Sequence, residues 1–243
     1  MQANIYRDMA SVQQGHWWFV ARRKILQSLI SSLMLPANAR ILEIGCGPGG
    51  NLQMLSAFGE LHAMEYDPDA CKMAQALGVC EVKSGGLPEP VPFKNADYDL
   101  ICLLDVLEHI EDDVAALSRI SQLLKPNGRL LVTVPAYRWM FSGHDVVHHH
   151  HRRYTARGLL RQAMAAGLSP IRAGYFNTLL FPLVALVRCM GILLGTSGGS
   201  DAAMPSRHIN SVLKSVFGME RFIVPLMLFP FGTSVLTVLV SKE

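Results

Sequence analysis

The run Glu43-Ile44-Gly45-Cys46-Gly47-Pro48-Gly49-Gly50 sets closely spaced glycines behind a carboxylate. Glycine lets the backbone take positive φ and lets a ligand approach the chain. Gly45, Gly47 and Gly50 satisfy the G-x-G-x-x-G spacing of nucleotide-binding turns, a weak signal when it stands alone. Such turns want an acidic residue about 20 positions on, at the end of the next strand, to grip ribose hydroxyls. Glu65 stands there. A second block, Asp105-Val106-Leu107-Glu108-His109, sets two carboxylates close to an imidazole. The most polar stretch beyond these is His144-Asp145-Val146-Val147-His148-His149-His150-His151-Arg152-Arg153-Tyr154-Thr155. Three readings of it compete: a metal site, a solvated loop, or a substrate-facing loop with a proton acceptor. Adjacent residues on an extended chain point to opposite faces, so at most alternate histidines converge. Zinc sites also draw ligands at wider spacings. No metal is therefore expected.

These blocks need strand ends and turns to hold them. Apolar helical spacing over 16–35 predicts an N-terminal helix that ends before Pro36. Strands are predicted at Arg40–Ile44, Leu61–Glu65, Val79–Lys83, Tyr98–Leu104 and Arg129–Val134. Helices are predicted at roughly 50–58, Pro68–Leu77, Asp112–Leu124 and Thr155–Ala166. Alternating elements of this length imply a parallel sheet covered by helices on both faces. Leu168–Tyr175 and Thr233–Val240 are candidates for two further strands. The stretch 178–230 is unusually apolar and breaks the pattern. Three parts follow: a helical cap over 1–36, a cofactor-binding domain over 37–177 plus 231–243, and an apolar helical insertion over 178–230.

Two features favour S-adenosylmethionine over NAD as the ligand of the glycine turn. A carboxylate at Glu43 suits the cationic amine of a methionine moiety and would sit badly beside a pyrophosphate. The block Leu104–Ile110 follows the fourth strand. At this point the chain resembles the class I S-adenosylmethionine-dependent methyltransferases. The resemblance rests on Glu43–Gly49, Glu65, Leu87-Pro88 with Pro92-Phe93, Asp97–Leu100, Asp105–Ile110 and Leu124-Lys125-Pro126-Asn127-Gly128, in family order over about 38–135. It implies a Rossmann-like, doubly wound seven-stranded sheet of order 3-2-1-4-5-7-6, with strand 7 antiparallel. It implies S-adenosyl-L-methionine as cofactor and S-adenosyl-L-homocysteine as product. Glu43, Gly45, Cys46, Gly47 and Gly49 would surround the methionine part, with Glu65 on the ribose and Tyr66 against the adenine. Backbone at Gly86 and Leu87 would reach the adenine edge. Leu104 and Asp105 would line the pocket, with Glu108 and His109 at its rim. The acidic residue usual after strand 3 is missing from Lys83-Ser84-Gly85-Gly86.

His16-Trp17-Trp18-Phe19, Arg22-Arg23, His144-Asp145 and His150–Thr155 resemble a subgroup of these enzymes, the type 11/23-like methyltransferases. That likeness favours the substrate-facing reading of the histidine loop and implies a small-molecule, lipid-linked or glycan-linked acceptor. Methylation at oxygen is expected. A hydroxyl acceptor must lose its proton, and imidazole titrates in the right range. His144 and His109 are the candidate bases, with Asp145 orienting one of them or acting directly. The bland alternative for Glu108 and His109 is that they brace the next helix.

The 243 residues are 50% hydrophobic and 17% charged, with net charge +3. That modest charge gives no nucleic-acid signature. The strand-4 end lacks an Asn/Asp-Pro-Pro-Tyr block, and aromatics do not interleave with the basic residues. Nucleic acid is therefore not the expected partner. Five scattered cysteines without a CxxC pair read as reduced, buried thiols of a cytoplasmic protein. Met1–Ala10 shows no apolar signal core. Thr178–Thr196 carries only Arg188 as a charge, and Phe222–Val240 carries none. The first run reads as a lid, a dimer surface, a membrane-interface helix on the inner face or a spanning segment. The Gly- and Ser-rich loop Gly195–Pro205 would gate entry. Two other functions stay open, an NAD-dependent oxidoreductase and a non-catalytic, membrane-associated cofactor-binding partner.

Overall fold

Alternation of side chains along each strand sorts the apolar residues into two cores, one on either face of the sheet. In β1 (Arg40–Ile44), Ile41 joins Ile25, Leu29 and Leu52 on one face, while Leu42 and Ile44 join Leu117 and Ile120 on the other. β4 (Tyr98–Leu104) is buried on both faces, as suits a central parallel strand. The computed structural model describes residues 3–193 and 204–241. Its seven strands lie in the order β3-β2-β1-β4-β5-β7-β6. They are β1, β2 (Glu60–Glu65), β3 (Glu81–Ser84), β4, β5 (Leu124–Pro135), β6 (Leu168–Phe176) and β7 (Ser234–Ser241). β7 runs antiparallel to both β5 and β6. This is the sheet order and the antiparallel last strand expected from the resemblance. The order reverses direction at β1 and β4, and ligands bind outside the carboxyl ends of strands at such a point.

Local chemistry starts several of the helices. Pro68 opens α4 (Pro68–Ala76) while the Asp67 carboxylate accepts from the N–H groups of Asp69 and Ala70. Asp112 caps α5 (Asp113–Leu123) and Thr155 caps α7 (Ala156–Ala165) in the same way. The N-terminal segment forms two helices, α1 (Ala3–Val12) and α2 (Trp17–Ser31). α2 stops at Ser31, before Pro36 as expected, and Met34 between them takes φ +50°. The helix predicted over 50–58 is only α3 (Leu52–Leu55) and a 3-10 turn at Ser56–Phe58. β3 begins at Glu81 instead of Val79. β5 begins at Leu124 instead of Arg129, because Leu124 already pairs with Tyr98 across a register shift. A short helix, α6 (Gly143–Val147), occupies part of the predicted histidine loop.

The apolar stretch 178–230 contains α8 (Phe181–Leu193) and α9 (Arg207–Gly218). α9 packs on α2, with the Trp17 N–H donating to Asn210 Oδ1 at 2.8 Å. Among the described residues no helix is long and apolar enough to cross a membrane. The gating loop predicted at Gly195–Pro205 lies almost wholly outside the described residues. All five cysteines are free thiols, but Cys189 on α8 is exposed and Cys80 half-buried, so the expectation that all are buried fails for these two.

Glu220, fully buried, ties this region to the sheet. Its carboxylate accepts from the N–H groups of Asn177, Thr178 and Leu179 at 2.6, 2.6 and 2.9 Å. These donors lie where the chain leaves β6 for α8. Glu220→Ala leaves three backbone donors, two of them buried, without an acceptor and should lower stability by about 2–4 kcal/mol. Urea unfolding measures it, and an unchanged midpoint would refute the role.

Candidate active site

A cleft of about 1400 Å³ opens at the carboxyl ends of β1, β2 and β4 and runs under α1, α2 and α8. Small-ligand pockets fill about 300–1,000 Å³, so the cleft has room for two ligands side by side.

The turn after β1 forms one end. Gly45, Gly47 and Gly49 take φ of +71°, +55° and +90°. A Cβ on Gly45 would strike Val106 Cγ2 at 2.5 Å, whereas one on Gly47 would meet nothing within 4 Å and project into open space. Gly47 therefore marks a cradle whose backbone a ligand can touch. Glu65 at the end of β2 accepts from Gly47 N–H at 2.7 Å and from Asp67 N–H at 2.9 Å. Burial raises its pKa, and hydrogen bonds from the backbone of Asp67, Gly47 and Tyr66 oppose the shift. A carboxylate has about four acceptor positions, so these backbone donors do not exhaust it. Tyr66 is exposed on the rim, and Gly86 has no Cβ because one would press on the Tyr66 ring at 2.9 Å. The N–H groups of Gly85 and Gly86 donate to the carbonyls of Glu65 and Pro90. Leu87 lines the wall beside them.

Beneath this end lies a cluster of charges. Arg22 of α2, 4% exposed, reaches Asp105 Oδ2 at 2.7 Å and donates to Thr133 Oγ1 at 2.9 Å. Thr133 in turn donates to Asp105 Oδ1 at 3.2 Å. Asp105 holds φ +58°, an unusual conformation for a side chain without glycine's freedom. Glu43 is buried behind the wall and accepts from Asn51 Nδ2 at 2.7 Å, while its Oε2 has no donor. Burial pushes the Glu43 pKa up to about 7, against the pull of Asn51 and Arg22.

The opposite wall carries Glu108, His109 and His150. Burial, and then the charge of Asp105, hold the Glu108 carboxyl well above its usual range. Burial and the neighbouring His150 and His148 hold His109 down to about 3. The His109 and His150 rings meet edge to face with centroids 4.6 Å apart. Asp145 is fully buried and absent from the cleft wall. It is bound by His150 Nδ1 at 2.8 Å, by Arg153 Nε and Nη2 at 2.8 and 3.0 Å, and by Ser142 N–H at 2.8 Å. Burial alone would raise its pKa, but these bonds outweigh it and hold the carboxyl well below the usual range. Asp145 is thus held behind His150 and away from the cleft lining.

The structure brings Gly45, Cys46, Gly47, Glu65, Tyr66, Gly86, Leu87, Leu104, Asp105, Glu108 and His109 into the lining of one cleft. Glu43 and Gly49 stand behind it. Gly49 packs the turn against α4, where a Cβ would strike Leu77 at 2.5 Å. The His144 side chain lies outside the described residues. Sequence reasoning missed Tyr6 of α1, Gln13 just after it, Asn177 after β6, and His150 as the histidine of the tract that Asp145 holds. No periodicity or spacing signals them, because each reaches the cleft through the packing of distant segments.

The family whose description is "Methyltransferase domain" matches residues 18–173. The chain belongs to that family, and by family and fold it is a class I S-adenosylmethionine-dependent methyltransferase. It is 28% identical over 137 residues to a ubiquinone biosynthesis O-methyltransferase of Xylella fastidiosa (strain M23), covering 51% of this chain and 56% of that protein. A protein of the same name from Xanthomonas axonopodis pv. citri is 24% identical over 140 residues, covering 52% and 59%. The matches span little more than half the length of these curated relatives. Among solved structures, an S-adenosylmethionine-dependent methyltransferase from Thermotoga maritima is similar over 100% of both chains, with TM-score 0.62 and 17% identity. Phosphoethanolamine N-methyltransferase 2 of Haemonchus contortus, in complex with S-adenosyl-L-methionine, is similar over 90% of this chain and 52% of its own, with TM-score 0.59 and 20% identity. These two share the fold. The oxidoreductase alternative gives way to the family match.

Glu65→Ala removes the carboxylate at the cradle and should weaken S-adenosylhomocysteine about 10- to 100-fold by calorimetry. An affinity within about twofold of wild type would remove Glu65 from the site. Glu43 bears on stability. Its pKa rises from 4.5 unfolded to about 7 folded, so the folded state binds more protons between those values and loses stability as pH climbs through that window. The loss is on the order of 3 kcal/mol. Glu43→Gln should flatten that slope in unfolding curves from pH 4 to 8.

Proposed function

We propose that the protein methylates an oxygen of a small, amphipathic, lipid-like acceptor. The observation that carries this reading is the continuity of the cleft, which joins the Gly47–Glu65 cradle to the Glu108–His109–His150 wall and then to α8. When bound, S-adenosylmethionine supplies an electrophilic methyl group on a sulfonium. Gly45, Cys46, Gly47, Glu65, Tyr66, Gly86 and Leu87 would hold it, with Leu104 and Asp105 beneath, and the open space at Gly47 fits such a ligand. The chain's remaining work is to orient the acceptor, exclude water and take charge of the hydroxyl proton. The Glu108–His109–His150 wall is the polar part of the acceptor half and is placed for the proton. The relatives named for O-methylation agree with an oxygen acceptor.

The rest of that half is apolar. Leu180, Leu183, Val184 and Val187 line it from the start of α8, and Arg188 reaches into it beside them. Such a wall suits a hydrocarbon tail. Leu183, Leu186, Val187 and Met190 form one helical stripe of α8 and are all partly exposed to solvent, as are Ile209 and Val212 of α9 and the apolar side chains of Phe222, Leu226 and Met227. We infer that this surface rests on a lipid membrane, from which a lipid-like acceptor enters the cleft.

Product analysis by mass spectrometry, with labelled cofactor and phenolic acceptors with and without an alkyl tail, tests both points. Methyl on oxygen and a preference for the tailed acceptor are expected, and methyl on nitrogen or carbon overturns the first. His109→Ala should cut kcat about 10²- to 10⁴-fold while leaving S-adenosylhomocysteine affinity within about twofold.

A further inference from the structure

Glu108, His109 and His150 bring one carboxylate oxygen and two imidazole nitrogens to within 4.8 Å of one another. All three line the cleft. Glu108 is 1% exposed, and its Oε2 has no hydrogen-bond partner. A buried carboxylate oxygen is unfavourable there unless a donor or a cation meets it.

The two rings are held from behind in a matching way. Asp145 Oδ1 binds His150 Nδ1 at 2.8 Å, and Arg153 fixes that same carboxylate with a two-pronged grip. A proton on Nδ1, facing the carboxylate, puts the lone pair of that tautomer on Nε2. His109 hydrogen-bonds to the backbone of His148 and His149 in the sense that favours its protonated ring, so its N–H is the donor. Metal-bound histidines characteristically donate their second nitrogen to a carboxylate or a backbone carbonyl. Both rings here have that support in place.

We propose that Glu108, His109 and His150 form a site for a first-row divalent transition metal, with zinc as the leading candidate, on the acceptor side of the cleft. The proposal rests on the O-methylation reading above and deepens it. Two imidazoles and one carboxylate suit zinc, iron or cobalt, whereas magnesium prefers oxygen ligands and water. Three protein ligands leave a coordination position open toward the cleft. Ligand atoms about 2.1 Å from a tetrahedral ion lie about 3.4 Å apart, so side-chain movements of about 1 Å close this set. An acceptor hydroxyl entering the open position would form an oxygen–metal bond and release its proton to solvent water, with no change of oxidation state. The four-histidine run is then not itself the metal site. One of its members meets a Glu-His pair that the fold brings from the end of β4.

The test uses full-length protein stripped with a chelator, titrated with Zn²⁺ by calorimetry and with Co²⁺ by visible absorption. One equivalent should bind, with cobalt bands of low coordination number. Affinity should fall at least about tenfold in His150→Ala and in Glu108→Gln, and about tenfold in Asp145→Asn, whose role is to position the ligand. S-adenosylhomocysteine binding, unchanged in each variant, shows that they fold. Absence of stoichiometric binding by wild type overturns the site. So does binding that survives those substitutions and disappears when His148, His149 and His151 are replaced by alanine. An N- or C-methylated product from protein that binds the metal counts against the oxygen acceptor alone, so the two readings fail separately.

Discussion

The contact between Arg22 and Asp105 is the constraint on which the rest of the site depends. It joins α2 to the carboxyl end of β4, and through Thr133 to β5. Three carboxylates crowd this region: Glu43 behind the turn, Asp105 at the strand tip and Glu108 just beyond it. Arg22 lowers the proton affinity of both Glu43 and Glu108. A guanidinium suits the place because it keeps its charge when buried, and its Nη2 serves Asp105 and Thr133 together. Bound there, it also holds Asp105 in a left-handed conformation that the residue would not choose alone. Removing one partner of a buried pair leaves the other charge uncompensated, and this makes such a contact hard to replace.

From that anchor the cleft follows. α2 is fixed across the strand ends and carries α1 with it, so Tyr6 and Gln13 overhang the glycine turn. Gly50 is pressed so closely by Gln13 that a Cβ would lie 2.3 Å from the Gln13 Oε1. On the far side, Glu220 gathers three backbone N–H groups and fixes where the chain departs β6. That departure aims α8 along the cleft. One apolar helix thus both lines the acceptor half and exposes an oily surface outside.

The polar wall is built by a different economy. Asp145 spends its whole carboxylate on His150, Arg153 and Ser142 and keeps none for a ligand. This leaves it poorly suited to accept a proton and well suited to hold an imidazole still. His109 is kept neutral by burial and by the rings beside it, which favours it as a ligand or acceptor over a cation. Positioning is the common theme of this wall, and a group-transfer enzyme gains much of its rate from positioning.

The amino-acid sequence by itself determined the sheet and the cofactor end. Apolar runs with turn residues between them mark β1, β2 and β4 within a residue or so, and the glycine turn, Glu65 and Asp105 all fall at strand ends. These features are local, since a turn needing positive φ needs glycine, and a buried parallel strand needs an unbroken apolar run. Element ends were less legible. Leu124 joins β5 because Tyr98 pairs with it, and no propensity encodes that pairing. The acceptor half was decided by tertiary structure. Nothing near His150 in the chain says that it will meet Glu108 and His109, and nothing near Arg22 says that it will neutralise Asp105. Those residues interact across long stretches of chain, so the packing of the helices against the sheet alone selects them.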